Sequence, residues 1–223
     1  MKLRLTQTDW HPAVRIIPSR FPSINLFDRV ASPADFDALY ALEAMTNPRI
    51  RNEVGDIALV PPDERLFGPG SGPIMAAFTH CNPNGSRFSD GSYGVFYAAR
   101  DKAAAIAETR HHQANFLRAT REGPIQLQMR VYHVEVSGRL HDLRTLRVDD
   151  PVYAPASYAA SQALGRQLRD EGSPGLRYRS VRAPGKECVA IFRTMAVSNC
   201  RHAGQLLYQW DGDQFSGVYE KVD

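Results

Sequence analysis

Alternation of apolar and polar residues predicts the strands of this chain. Ile125, Leu127, Met129 and Val131 occupy alternate positions up to His133, with mostly polar residues between them. A period of two is typical of a strand that has one buried and one solvated face. Compact apolar runs predict further strands at 13–17, 95–98, 176–181, 188–192, 206–210 and 218–221, and a short strand or buried segment at 57–60.

Helical spacing of apolar residues predicts three helices, at 32–47, 102–119 and 158–172. Ser32 begins the first helix and Asp101 the second, because the side-chain oxygen of a capping residue accepts a backbone N–H of the first turn. The third helix opens at Ser157 or Tyr158. Strands therefore outnumber helices, and the last strands are spaced like hairpins. We expect an α+β fold with a curved, mainly antiparallel sheet and helices packed against it.

Length and composition are those of a soluble globular protein. The chain has 223 residues, of which 43% are hydrophobic and 23% charged, so a disordered tail, a fibrous repeat and a disulfide scaffold are excluded. No internal repeat or linker divides it, and we expect one domain over residues 1–223. The odd number of cysteines without a CxxC pair indicates free thiols in a reducing compartment. Because no signal peptide or membrane span is visible, we expect a cytoplasmic protein.

The basic residues are mostly arginine. Of the 27 basic residues four are lysines, which leaves 23 arginines, and the net charge is +3. The planar guanidinium group suits phosphate and carboxylate ligands. Most of these arginines nevertheless lie among acidic residues and are read as solvated surface. Direct nucleic-acid binding is not expected, because no run of basic residues alternates with exposed aromatic residues.

Familiar catalytic motifs are missing from the chain. It contains no P-loop, no GxGxxG between a strand and a helix, no HExxH and no GxSxG. Glu108 shares a helix face with His111 and His112, which resembles half of a di-iron site. No second copy of this motif exists, so we expect no metal. Alanines surround Glu108 on its helix, which suggests that its carboxylate points into a cleft.

Two further residues, Arg87 and Tyr97, are spaced so that they could border that cleft together with Glu108. Arg87 follows a glycine turn, Tyr97 ends a predicted strand ten residues later, and Glu108 follows after eleven more. If the helix turns back along the strand, all three side chains meet. An arginine there would bind an anion, and the tyrosine would stack on a ring or bind a hydroxyl group.

These blocks resemble the core of the RES domain family. The resemblance rests on Gly85-Ser86-Arg87-Phe88, on Gly94-Val95-Phe96-Tyr97-Ala98-Ala99 and on Ala107-Glu108-Thr109. It extends to the segments 14–19, 158–165 and 175–182, and so covers roughly residues 15–192. The ordered set of blocks is far more specific than any one of them.

The resemblance implies a fold related to ADP-ribosyltransferase toxins and an enzyme that consumes NAD. It further implies the toxin of a bacterial type II toxin–antitoxin pair. NAD would be degraded, by a glycohydrolase or phosphorylase reaction, or its ADP-ribose would be transferred to a protein. The implied partner is an antitoxin, often with a helix-turn-helix domain, and self-association is common in the family.

Residues of the family site carry over by position. Glu108, Arg87 and Tyr97 match the catalytic residues, and Arg15 matches an arginine of the first strand, with Arg20 as its alternative. Together with Ser161 these arginines and Tyr97 would bind NAD. The serine itself stays open among three candidates, which are Ser157, Ser161 and Ser180.

The chemistry of NAD cleavage independently suits these residue types. Breaking the nicotinamide–ribose bond builds positive charge on the ribose, as in glycoside hydrolysis, and a carboxylate such as Glu108 stabilises that charge. Arginines suit the pyrophosphate. The alternative hypothesis is a module that binds a nucleotide without turning it over.

Overall fold

Seven strands and five α-helices form within residues 3–20, 26–30, 32–46 and 54–221, which are the residues that the computed structural model describes. The strands are β1 (Leu5–Pro18), β2 (Phe96–Ala99), β3 (Ile125–Asp142), β4 (Gly175–Arg179), β5 (Glu187–Ile191), β6 (Val197–Trp210) and β7 (Phe215–Glu220). The helices are α1 (Leu26–Arg29), α2 (Pro33–Thr46), α3 (Gly72–Thr79), α4 (Lys102–Thr120) and α5 (Ala159–Asp170).

The strands form one strongly curved sheet. Their order is β1-β2-β5-β4-β3-β6-β7, and a further pairing of β1 with β3 closes five of them into a ring. Pairing is parallel only between β3 and β4 and antiparallel in the other described pairs. The expected α+β class with a curved, mainly antiparallel sheet is confirmed.

Helices cover both faces of this sheet. On one face, here called the α4 face, Val14 and Ile16 of β1 pack with residues of α4 and α5 such as Leu117 and Leu168. On the opposite face, the α1–α3 face, Phe96 of β2 packs in a second cluster that includes aromatic residues of α1, α2 and α3 (Phe27, Phe36 and Phe78). Alternation along each strand thus assigns neighbouring residues to opposite cores.

Most local predictions are confirmed, including both helix caps. The backbone N–H of Asp35 donates to Ser32 Oγ at 3.2 Å, and that of Ala104 donates to Asp101 Oδ1 at 2.9 Å. The segment 57–60 is not a strand. It forms a 3-10 turn, Ile57–Leu59, because the Asp56 carboxylate accepts the N–H of Ala58 and caps the turn instead.

Two expectations concern the whole molecule rather than its elements. The thiols of Cys81, Cys188 and Cys200 are free, as the spacing of the cysteines predicts. Across the described ranges, no helix combines the length and the apolar character needed to span a membrane.

Candidate active site

A tight turn at residues 85–89 carries Arg87. Gly85 has φ +72°, and a Cβ there would lie 2.6 Å from the carbonyl oxygen of Ser89, so only glycine fits. The N–H of Ser86 donates to that same oxygen at 2.6 Å and closes the turn. Helix α5 holds it from outside, since Gln162 Nε2 donates to the carbonyls of Ser86 and Ser89. Arg87 is therefore presented from a rigid loop.

The guanidinium group of Arg87 is buried and incompletely bonded. The residue is 4% exposed, and its Nη1 donates to the carbonyl oxygens of Val152 and Ala154, both at 3.2 Å. The ring of Tyr158 covers it, with Cζ 4.7 Å from the ring centroid. Its Nη2 is buried without an acceptor. Since an unsatisfied buried donor costs about 1–3 kcal/mol, this nitrogen marks a place for an acceptor atom.

Tyr97 supports the Arg87 turn with its hydroxyl group. The Tyr97 oxygen accepts the N–H of Phe88 at 3.0 Å and shares a 2.8 Å hydrogen bond with Ser86 Oγ. Phe88 is fully buried, and its carbonyl accepts the Tyr93 hydroxyl at 2.6 Å. Burial raises the pKa of Tyr97 to about 12, so the phenol stays neutral at physiological pH. These hydrogen bonds connect the Tyr97 hydroxyl group to the turn that carries Arg87.

Glu108 lies on α4 and is bonded by Ser180. Ser180 Oγ donates to Glu108 Oε1 at 2.6 Å. The same Oγ accepts the N–H groups of Arg182 at 3.2 Å and Ala183 at 2.9 Å, which aims its single proton at the carboxylate. One oxygen of Glu108 is thus held in a fixed position.

Tyr178 connects Glu108 with the other predicted site residues. It is 4% exposed, and burial raises its pKa well above the usual value; the charge of Glu108 also raises this pKa, and the charge of Arg87 lowers it. Glu108 and Arg87 therefore both act on the pKa of one buried phenol. That Arg87, Tyr97 and Glu108 form one catalytic site stays a prediction.

The positive charges of Arg182 and Arg87 act on the two histidines that follow Glu108 on its helix. Burial and the charge of Arg182 lower the pKa of His111 to about 4, with a smaller opposing contribution from Glu108. Burial, Arg182 and Arg87 likewise lower the pKa of His112 to about 4. Both imidazoles are neutral at pH 7. No group of residues in the described part of the chain has the composition of a metal site.

Arg15 does not join this cluster. Val14 and Ile16 point to the α4 face, so alternation directs Arg15 to the α1–α3 face. There its guanidinium lies 4.4 Å from the centroid of the Phe96 ring, its Nη1 donates to the Tyr97 carbonyl at 2.9 Å, and burial lowers its pKa to about 10. Arg15 ties β1 to β2, and its role in binding NAD stays a prediction.

Arg20 lies on the α4 side, at a distance from Glu108. Its guanidinium stacks 4.5 Å from the ring centroid of Phe116. Phe116 follows Glu108 by eight residues on the same helix, which corresponds to about 12 Å along the axis. Arg20 therefore contacts the helix that carries Glu108 about two turns away, and its role in binding NAD stays a prediction.

The three candidate serines occupy different environments. Ser157 is exposed and precedes α5. Ser161 is fully buried, and its Oγ donates to the carbonyl of Tyr158 at 3.1 Å within its own helix. Only Ser180 of these three bonds Glu108. The geometry therefore favours Ser180 over Ser161 as the serine of the site.

Sequence reasoning missed Arg182 and Tyr158 and left Ser180 unresolved. Ser180 directly follows β4. Because β4 and β2 are both antiparallel to β5, they run in the same direction, and Ser180 lies at the end of the strands where α4 begins. A strand-terminal serine two residues before an arginine was the available signal. Tyr158 had none, because its stacking on Arg87 depends on contacts distant in sequence.

Comparison with known proteins yields similarities of three kinds. The family model of the RES domain matches residues 63–211. The uncharacterized protein y4oC of Sinorhizobium fredii is 32% identical over 205 residues, which cover 92% of this chain and 85% of that protein. A chain of the crystal structure of the M. tuberculosis MbcT–MbcA toxin–antitoxin complex superposes with a TM-score of 0.48 and 9% identity, covering 93% of this chain and 87% of that one. This last similarity is too distant to carry a function to this chain.

Proposed function

Since this chain belongs to the RES domain family, we propose that it is an enzyme that cleaves the nicotinamide–ribose bond of NAD. Glu108 acts on the ribose, Arg87 binds the pyrophosphate, and Ser180 and Tyr97 hold these two groups in position. No metal is required by this chemistry.

The observation that carries the proposal is the Ser180–Glu108 pair beside an unsatisfied arginine. The hydroxyl of Ser180 fixes Glu108 Oε1 at 2.6 Å, which leaves the second carboxylate oxygen for the substrate. A carboxylate held in one orientation stabilises positive charge without reorganising during the reaction. That is the requirement of a transition state with charge on the ribose ring.

The bond changes balance without a redox partner. The C–N bond to nicotinamide breaks, its electron pair goes to the pyridine nitrogen, and nicotinamide leaves as a neutral molecule. An acceptor with a lone pair then bonds to the ribose carbon and releases its proton. Water, phosphate and a protein side chain all meet this description, so hydrolysis, phosphorolysis and ADP-ribosyl transfer remain three outcomes of one cleavage step.

Arg87 provides the anion site in this proposal. Its unpaired Nη2 is a buried donor that a pyrophosphate oxygen would satisfy. Tyr158 stacks on the face of the guanidinium, whereas the N–H groups of Nη2 donate in its plane. Tyr97 acts as a positioning residue, because its hydroxyl is bonded to the Arg87 turn.

The cellular role in this proposal is that of a toxin paired with an antitoxin that covers the site. A cell that makes an NAD-cleaving enzyme needs such a partner to protect its own NAD. Expression of the chain alone in a bacterial host is expected to lower cellular NAD and arrest growth, and co-expression of a neighbouring antitoxin gene is expected to restore both.

The direct test is release of nicotinamide by the purified protein. Incubation with NAD, in parallel with and without phosphate and with cell extract as a source of acceptors, is expected to yield free nicotinamide. Glu108→Gln should lower the rate by about 100-fold or more, because the oriented negative charge is lost. Glu122→Gln, an exposed glutamate just beyond the same helix, is the matched control and should retain the wild-type rate. NAD bound tightly by calorimetry with no product under any condition would refute the enzyme and favour the binding module.

A further inference from the structure

Arg182 has the features of a second anion-binding side chain at this site. Its Nη2 donates to the carbonyl of Pro155 at 2.5 Å, while its Nε is buried without an acceptor. Neither Arg182 nor Arg87 forms an ion pair with a carboxylate of the described residues. Both arginines thus combine an uncompensated charge with one unused donor.

The two guanidinium groups lie close together. Arg87 binds the carbonyl of Ala154 at 3.2 Å, and Arg182 binds that of the next residue, Pro155. Both charges also lower the pKa of His112, so the two guanidinium groups lie near the same imidazole. Two positive charges in one neighbourhood repel each other, and an anion with two phosphates between them would reduce the repulsion.

Arg182 is also connected to the carboxylate that acts on the ribose. Its backbone N–H donates to Ser180 Oγ at 3.2 Å, and that oxygen donates in turn to Glu108. A shift of Arg182 toward a ligand would therefore pull on the hydrogen bonds that orient Glu108. The anion site and the carboxylate are two ends of one short chain of contacts.

We propose that Arg182 and Arg87 together bind the pyrophosphate of a dinucleotide and that Arg182 couples its binding to the orientation of Glu108 through Ser180. The identity of the ligand rests on the proposed function, whereas the paired anion site rests on the arginines alone. The substrate class is then a dinucleotide or nucleoside diphosphate derivative, and a nucleoside without phosphates gains nothing from Arg182.

The test compares ligands that differ only in phosphate content. Calorimetry at fixed ionic strength measures the Kd of inorganic pyrophosphate, ADP-ribose and adenosine. Arg182→Gln is expected to weaken pyrophosphate and ADP-ribose by at least about 10-fold and to leave adenosine unchanged, with Arg182→Lys in between because lysine keeps the charge but loses the planar fork. Turnover supplies a second readout: Arg182→Gln should raise KM and lower kcat for NAD, and it should lower kcat/KM for NAD far more than kcat/KM for nicotinamide riboside, which has no pyrophosphate.

A matched variant separates anion binding from support of the backbone. Arg179 donates to the carbonyls of Arg144 and Leu146, both at 2.6 Å, and so supports another backbone segment through neutral carbonyls. Arg179→Gln should therefore loosen this segment without affecting pyrophosphate. Equal loss of pyrophosphate binding in both variants, unchanged binding in Arg182→Gln, or no binding by the wild-type protein would each overturn the inference. Binding that depends on Arg182 without any nicotinamide release would uphold it and refute the proposed function instead.

Discussion

Replacing Ser180 by alanine is the sharpest test of how the site works. The change removes the 2.6 Å hydrogen bond to Glu108 Oε1 and the acceptor of two backbone N–H groups, those of Arg182 and Ala183. The side chain is 6% exposed, so little water replaces it. The methyl group that remains fits the space, and the change removes these three hydrogen bonds and the contact of Ser180 with the Cys188 thiol.

The size of the effect follows from the type of bond. A hydrogen bond to a charged group contributes about 1.5–3 kcal/mol, and a tenfold change in rate corresponds to about 1.4 kcal/mol. If the bond orients Glu108 in the transition state, Ser180→Ala should lower kcat for nicotinamide release by about 10- to 150-fold. The unpaired N–H groups should lower the free energy of unfolding by about 1–3 kcal/mol, and Tm by about 2–12 °C.

Ser161→Ala is the matched comparison for Ser180→Ala. Ser161 is equally inaccessible, but its hydroxyl donates to a neutral carbonyl of its own helix and does not touch Glu108. We expect a loss of about 0.5–1.5 kcal/mol in stability and an unchanged kcat. A Ser180→Ala enzyme within twofold of the wild-type kcat would refute the proposed role of Ser180. A large loss in Ser161→Ala alone would return the assignment to Ser161.

Other predictions concern the supports of the site. Tyr97→Phe leaves the buried N–H of Phe88 without its acceptor and should cost about 1–3 kcal/mol in urea denaturation, and an unchanged midpoint would contradict this. A Cβ on Gly165 would lie 2.3 Å from the carbonyl oxygen of Phe88, so Gly165→Ala should lower stability by about 1–3 kcal/mol, whereas Gly123→Ala, which meets no atom within 4 Å, should not. The pKa of His111 is about 4 when folded and 6.5 when unfolded, so the unfolded chain takes up a proton that the folded chain does not as pH falls from 6.5 to 4. Stability should fall over this range, less steeply in His111→Gln; equal slopes in urea titrations at several pH values would contradict the low pKa.

Local patterns predict the elements of this fold better than their pairing. The period of two identifies β3 from Ile125 onward, because the hydrophobic pattern of a strand is a property of its own residues. That β3 continues to Asp142, and pairs with β1 as well as with β6, depends on strands far apart in the chain. In the segment 57–60 the local pattern predicts a strand that does not form. The cap provided by Asp56 favours a 3-10 turn there, although the apolar run is typical of a strand.

The site shows the same division. The spacing of Arg87, Tyr97 and Glu108 is local enough for the sequence to predict that they meet, because one strand and the following helix carry two of them. Ser180 is separated from Glu108 by 72 residues, and the sequence did not distinguish the three candidates Ser157, Ser161 and Ser180. For Arg15, the apolar neighbours indicate that it points away from their core, but only the packing of α4 shows which face holds Glu108.

The abundance of arginine has a structural explanation that sharpens the proposal for the site. Several arginines bind backbone carbonyls rather than carboxylates, among them Arg15, Arg87, Arg110, Arg179 and Arg182. A carbonyl is neutral, so such an arginine fastens a loop while its charge stays uncompensated. An anion can bind it without first breaking an ion pair, provided that a donor is free and near the site. Arg87 has an unused donor in Nη2 and Arg182 has one in Nε, and the charges of both act on the histidines that follow Glu108. We therefore expect the dinucleotide to bind between these two arginines.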